Sequence, residues 1–164
     1  MVLDVSQLIQ NDGAAKKLDF TLTLNDIVFG GQDISFVTPF SLVGEISNIS
    51  GVLYLELDCK VEFTTQCARC LECVNVEHTF HISEMFSKSP GADDEVILLD
   101  SGNIDLSEVT DRAFVGSIPI KYLCSEDCKG LCSVCGANLN RESCSCEEDN
   151  IDPRLAKLKE FIKD

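Results

Sequence analysis

Residues 52–82 read VLYLELDCKVEFTTQCARCLECVNVEHTFHI, and this stretch decides the fold. Leu53, Leu55, Leu57, Cys59, Val61 and Phe63 alternate with Tyr54, Glu56, Asp58, Lys60 and Glu62. Side chains two residues apart in a strand share a face, so this is a strand with one face in the core and one in water. Val74, Val76, Phe80 and Ile82 repeat the pattern against Asn75, Glu77, Thr79 and His81. Between the two runs lies Gln66-Cys-Ala-Arg-Cys-Leu-Glu-Cys73. The simplest connection is a long hairpin with a Cys-x-x-Cys at or near its tip.

Shorter elements lie on either side. Residues 1–10 fit a short strand and a helical turn capped by Ser6. Phe20, Leu22 and Leu24 alternate with Asp19, Thr21 and Thr23, a second strand pattern. Gly30-Gly31-Gln-Asp33 reads as a turn, and residues 40–49 as a strand closed by a turn at Asn48–Gly51. The polar run at 87–95 reads as a loop, followed by a short strand within Glu95–Asp100. Asp105-Leu-Ser-Glu108 resembles a capping box. It opens a helix with Leu106, Val109, Ala113 and Phe114 inward, stopped by Pro119. Residues 121–149 have no periodicity. Asp152-Pro153 opens a last helix with Leu155, Leu158, Phe161 and Ile162 as its apolar stripe.

The ten cysteines fall at 59, 67, 70, 73, 124, 128, 132, 135, 144 and 146. Structural zinc takes four tetrahedral ligands, often as two closely spaced cysteine pairs. Cys132-Ser-Val-Cys135-Gly136 is such a knuckle, and Cys144-Ser-Cys146 supplies a second pair, giving one four-cysteine site. Cys67 and Cys70 need two partners, and Cys124 and Cys128 are the obvious donors. A competing partition pools Cys124, Cys128, Cys132 and Cys135 and leaves Cys144 and Cys146 over. Cys59 lies on the apolar face of its strand and reads as core; Cys73 reads as free. Two zinc sites would add about four negative charges, since each joins four thiolates to one divalent cation.

The chain has 164 residues, 13 Lys+Arg against 28 Asp+Glu, and a net charge of −15. Such acidity argues against a broad surface for coating nucleic acid or anionic membrane. The longest aliphatic run, Val96–Leu99, is far short of the roughly 20 residues a bilayer needs. Asp4 interrupts the first apolar residues and no basic run precedes them, so no secretory signal is expected. Cysteine-rich chains without such a signal belong in a reducing compartment, here the cytoplasm. Catalytic signatures are lacking. His78 and His81 are the only histidines, and three apart on a strand they point to opposite faces. No metalloprotease helix, deaminase motif, phosphate loop or nucleophile elbow occurs.

The string Cys67-Ala-Arg-Cys70-Leu71-Glu72 after a long strand resembles the Cys-x-Arg-Cys-Leu motif of the YceD family, the large ribosomal RNA subunit accumulation proteins. Ile104-Asp105-Leu106 and Ile118-Pro119-Ile120-Lys121 are similar to its helix and helix exit. Cys128-Lys-Gly-Leu-Cys-Ser-Val-Cys-Gly-Ala-Asn-Leu-Asn140, Cys144-Ser-Cys146 and Ile151–Leu158 resemble its cysteine-rich C-terminal form. The likeness runs from about residue 40 to the end; Cys59 and Cys73 fall outside the family pattern. The resemblance implies a non-enzymatic bacterial or plastid protein needed for accumulation of large-subunit rRNA, with its gene commonly next to that of a small basic ribosomal protein. It also favours two separable metal sites over one pooled cluster.

The expected fold is therefore α+β: an antiparallel twisted β-sheet or partial barrel with few helices and a zinc-stapled C-terminal segment. Residues 1–120 form the β-rich core domain. Residues 121–164 form the cysteine-rich segment, with its terminal helix packed on the core. The expected function is a zinc-binding ribosome-assembly factor with two structural ions. An acidic body suits a basic large-subunit ribosomal protein or a pre-ribosomal particle, with rRNA contact local or indirect. Candidate contacts are Arg69, Lys121, Lys129, Arg141, Arg154, Lys157 and Lys159. The alternative is a thiol-redox or metal-transfer protein using Cys67 and Cys70; a zinc-ribbon transcription regulator fits the acidity less well.

Overall fold

The computed structural model describes residues 1–89, 96–99 and 101–146. The terminal helix expected from Asp152, with Arg154, Lys157 and Lys159, lies outside them. The order of elements is β1 (Val2–Asp4), α1 (Ser6–Gln10), β2 (Ala15–Leu22), β3 (Ile27–Phe29), β4 (Gln32–Phe36), β5 (Phe40–Ile49), β6 (Val52–Gln66), β7 (Cys73–Ser87), β8 (Val96–Leu98), β9 (Asn103–Asp105) and α2 (Leu106–Ser117).

The β6–β7 hairpin is the spine. It is paired without interruption from Val52 opposite Ser87 to Gln66 opposite Cys73. β7 runs five residues past the expected end at Ile82, through a stretch where alternation fades. There the first residues of β6 supply the backbone partners that the side-chain pattern does not announce. On its other side β6 pairs with β5 and, further along, with β4. β2 flanks β5, and β3 flanks β4. These pairings are antiparallel, as expected. The exception is β8, which lies parallel to the end of β7. β1 and β9 form a separate two-stranded sheet.

Gly30 and Gly31 have φ of 59° and 79°. That is the geometry of a two-residue hairpin turn, which needs positive φ at both positions. The turn is thus shorter than the four residues suggested by sequence, and strands fill both sides. Ser6 is not a cap. Val5 occupies that position without a side-chain bond, and the Ser6 amide donates to the Asp4 carboxylate at 2.9 Å. The carbonyl end of α1 is instead closed by buried Asn48, whose Nδ2 reaches the carbonyls of Leu8 (2.7 Å), Ile9 (3.2 Å) and Asn11 (3.1 Å). One side chain thereby adds a donor to three carbonyls at and just past the helix end, among them that of Ile9.

The inward residues of β6 are all buried, and α2 covers the sheet as expected. Asp105 caps α2 by accepting from the Ser107 amide at 2.9 Å. Phe114 is its anchor: its ring lies 5.2 Å from Phe36, 5.5 Å from Phe40 and Phe63, and 5.9 Å from Phe80, edge to face. Such pairs add about 0.5–1.5 kcal/mol each beyond the area they bury.

β5 and β6 approach closely at Gly44, where a Cβ would stand 1.9 Å from the Glu56 carbonyl oxygen. A glycine in a strand interior commonly marks such an approach. Gly44→Ala is expected to destabilise the protein by about 1–3 kcal/mol or more, read as a lower midpoint in denaturant. An unchanged midpoint would show that β5 can move away from β6 without cost.

A candidate metal centre at the hairpin tip

The tip is built from short-range geometry. The Cys67 amide donates to the Glu72 carbonyl at 2.8 Å, and the Leu71 amide to the Cys67 carbonyl at 3.0 Å. Leu71 sits at φ 60°, which turns the chain sharply and aims Cys67 and Cys70 to one side. The segment after α2 then crosses the tip. The Ala68 amide donates to the Tyr122 carbonyl at 2.8 Å, and the Leu131 amide to the Arg69 carbonyl at 3.1 Å. This crossing brings Cys128 Sγ to 3.7 Å from Cys67 Sγ, and Cys124 Sγ to 3.6 Å from Cys70 Sγ. All four sulfurs lie within 4.8 Å of one another.

The second cluster is local. The Gly136 amide donates to the Cys132 carbonyl at 2.9 Å, the Val134 amide points at Cys132 Sγ at 3.4 Å, and Gly136 has φ 74°. Cys132, Cys135, Cys144 and Cys146 again place four sulfurs within 4.8 Å. Each cluster could hold a metal ion. Tetrahedral bonds of about 2.3 Å set zinc-bound sulfurs about 3.8 Å apart, which suits this spacing, and four thiols form a soft donor set with no position left for water. The pooled alternative is not what the structure shows, because Cys124 and Cys128 face the hairpin tip. Cys59 is buried in the core, where burial, with Asp58 adjacent, pushes its thiol up to about 12. Cys73 is exposed and belongs to neither cluster.

The thiols of each cluster differ in acidity. Burial works against ionisation of Cys67, but backbone amide bonds at Cys70, Arg69 and Cys124 outweigh it and bring the thiol down to about 6. A backbone bond at Glu72 favours the Cys70 thiolate, yet burial and the adjoining sulfurs prevail and push it up to about 12. In the second cluster, backbone bonds from Cys135 and Val134 lower Cys132 to about 6. The bond to Cys135, with burial, raises Cys146 to about 12. A bound divalent cation replaces the protons that such a cluster otherwise retains.

Several polar residues that sequence reasoning left without a role join the two clusters. Asn140 Nδ2 donates to Cys128 Sγ at 3.3 Å while its Oδ1 accepts from the Lys129 amide at 2.7 Å. Asn138 Nδ2 donates to Glu72 Oε1 at 3.0 Å, and Arg141 pairs with the same oxygen at 2.6 Å. The one signal for the two asparagines was their place just after the second knuckle. Arg69 Nη1 donates to the carbonyls of Cys128 (2.8 Å) and Glu126 (3.2 Å). Arg69 and Arg141, both candidate partner contacts, are therefore engaged within the centre. Lys129 is exposed and makes no ion pair among the described residues.

The histidines stand apart from both clusters, on opposite faces as expected. His78 packs on Phe80 and bonds Ser117 Oγ at 2.8 Å. His81 bridges Asp58 (2.9 Å) and Glu56 (2.6 Å) on the outer face.

Two measurements follow. With intact metal, the eight clustered thiols should resist a thiol reagent until a strong chelator is added, after which residues 121–146 should lose protection from protease. Metal analysis should give about two ions per chain; none would remove the premise. Hydrogen bonds to Asp58 and Glu56 raise His81 above its ordinary 6.5. Its contribution to stability is complete below that value and is lost as pH rises through the raised one. Bonds from Ser83 and His81 hold Glu56 below its ordinary 4.5, so the Glu56 contribution is lost as pH falls through that lowered value. His81→Gln should therefore lower the melting temperature at about pH 5.5 and leave it nearly unchanged at about pH 8. An equal loss at both would contradict the bridge.

Comparison with known proteins places these motifs. The family model described as Large ribosomal RNA subunit accumulation protein YceD matches residues 55–162. An uncharacterized protein of Mycobacterium tuberculosis is 27% identical over 183 residues, covering 99% of this chain and 81% of that protein. The uncharacterized protein YlbN of Bacillus subtilis is 27% identical over 165 residues, covering 97% of this chain and 95% of YlbN. A Zea mays protein named Large ribosomal RNA subunit accumulation protein YCED homolog 1, chloroplastic, is 39% identical over 61 residues, covering 37% of this chain and 20% of that protein. No solved structure matches the chain. With the family match extending from the hairpin through both cysteine clusters, the chain belongs to the YceD family.

Proposed function

We propose that this protein is a non-enzymatic, zinc-binding cytoplasmic factor that supports accumulation of large-subunit rRNA by binding a basic ribosomal protein during assembly. Family membership carries the reading, since the family description names large-subunit rRNA accumulation. The net charge of −15 supports a basic protein as first partner, because phosphate is repelled by such a surface and cationic protein attracted. Contact with rRNA is then local or indirect. Among the candidate cations of the described residues, Lys121 and Lys129 are exposed lysines whose ammonium groups make no ion pair there.

The two clusters act structurally in this reading. Cys67 and Cys70 are 0% and 3% exposed, which supports a closed site over thiol exchange or metal transfer, since reactive cysteines need access. No helix among the described residues is long and apolar enough to cross a membrane.

Affinity purification of the tagged protein at moderate salt, with protein and RNA in the eluate both identified, tests this. The expected result is a basic large-subunit ribosomal protein retained after ribonuclease treatment, and a fall in large-subunit rRNA when the gene is deleted. An eluate holding rRNA alone, lost with ribonuclease, would reverse the order of partners.

A further inference from the structure

Among the described residues, the outer margin of β7 is an open sheet edge. Among them, its last three residues, Met85–Ser87, are the ones paired on that side, with β8. The Leu99 amide donates to the Ser87 carbonyl from there, so the backbone of Ser87 points away from β6. The β6–β7 register has no bulge, and backbone direction in an antiparallel strand alternates residue by residue. Asn75, Glu77, Thr79, His81 and Ser83 therefore also turn their N–H and C=O groups outward. The opposite strand agrees: the Glu62 carbonyl accepts from the Val37 and Thr38 amides on the far side of β6. Among the described residues, no hydrogen bond reaches the outward backbone groups of Asn75–Ser83. α2 packs on the inner face of β7 through Phe114 and leaves this margin unpaired.

Acidic side chains outnumber basic ones beside the edge, where Lys60 and His81 offset part of the charge of Glu56, Asp58, Glu62 and Glu77. Glu62 and Glu77 stand directly opposite on β6 and β7, an arrangement that costs stability between like charges. Lys60 pairs with Glu77 at 2.8 Å, and Glu62 makes no ion pair among the described residues. Glu62 and Glu77 line a pocket of about 340 Å³ together with Asn75 and exposed Val37. An exposed valine beside two carboxylates fits the aliphatic stem and charged head of a lysine or arginine. Val76 and Phe80, on the inner side of the same strand, are half-buried and leave apolar surface at the margin.

We propose that the edge of β7 over Asn75–Ser83 takes up an extended segment of a cationic protein as an added antiparallel or parallel strand, with one of its lysines or arginines set between Glu62 and Glu77. Main-chain bonds supply affinity in such additions, and pockets for alternate side chains supply selectivity. The segment should alternate basic with apolar residues, the basic ones toward the acidic outer face and the apolar ones beside Val76 and Phe80. The choice of a protein rests on the reading above; the strand edge and the acidic pocket are independent of it.

The test uses the full metal-loaded chain and a labelled peptide alternating lysine with valine. Residue-by-residue amide exchange should show Glu77, Thr79, His81 and Ser83 fast in the free protein and protected on binding, while the even-numbered amides between them are slow throughout. Thr79→Pro removes an amide that the fold does not use and should weaken the peptide by about tenfold or more. Glu62→Gln should weaken it and lessen its salt dependence, and glutamate in place of lysine in the peptide should abolish it. If Thr79→Pro fails to fold, Glu62→Gln and the exchange pattern decide. Binding without new protection at the odd-numbered amides overturns the proposal. So does protection already present in the free protein, with the mass in solution telling a second copy from the chain's own remaining residues. A basic ribosomal protein that still co-purifies with folded Thr79→Pro overturns the edge and spares the proposed function. Peptide protection without any co-purifying basic protein does the reverse.

Discussion

Four sulfurs gathered at the end of one hairpin mark where the sheet meets the segment that follows α2, and they could hold a metal ion there. Cys67 and Cys70 meet Cys124 and Cys128 across separations of 54 and 61 residues. The apolar support there is small: Val74 and Leu131 are what pack against the buried thiols. That much hydrocarbon cannot order a segment of turns, whereas a structural zinc site contributes on the order of 10–16 kcal/mol in small finger peptides. Without a cation, four such thiols must share protons. Their divergent acidities, about 6 for Cys67 and about 12 for Cys70, show that crowding.

The β6–β7 hairpin transmits this constraint to the core. Its middle lies beneath α2, where Phe114 gathers the rings of Phe36, Phe40, Phe63 and Phe80. Its near end carries the knuckle. The second cluster leans on the first through Asn140 on Cys128 and through Asn138 and Arg141 on Glu72. The Arg of the Cys-x-Arg-Cys motif belongs to the same scaffold, because its guanidinium ties the tip to the Cys128 and Glu126 carbonyls.

Charge is distributed to match. The outer face of the central strands carries Glu56, Asp58 and Glu62, and cross-strand Glu77, with Lys60 and His81 offsetting part of it. Such a face stays soluble and attracts cations at distances of about a Debye length. An acidic protein in a family named for ribosomal RNA is then coherent if what it meets first is basic protein.

The alternation from Leu53 to Phe63 was enough to place β6, its buried face and the hairpin, because a period of two admits one reading when sustained so long. The spacing of cysteines was enough to pair 132 with 135 and 144 with 146, because those ligands are close in sequence. Asp105 and Pro119 bracketed α2 for reasons of local backbone chemistry. Tertiary structure alone decided the rest. The β3–β4 strands are too short to show a period, β7 is lengthened by the partner it meets, and β8 lies parallel because its register is set across a connection. Asn48 and Asn140 act through groups far away in the chain, which no local pattern records. Which thiols join Cys67 and Cys70 was also settled only by the fold, since spacing ranks partners within a loop but cannot say which distant segment crosses it.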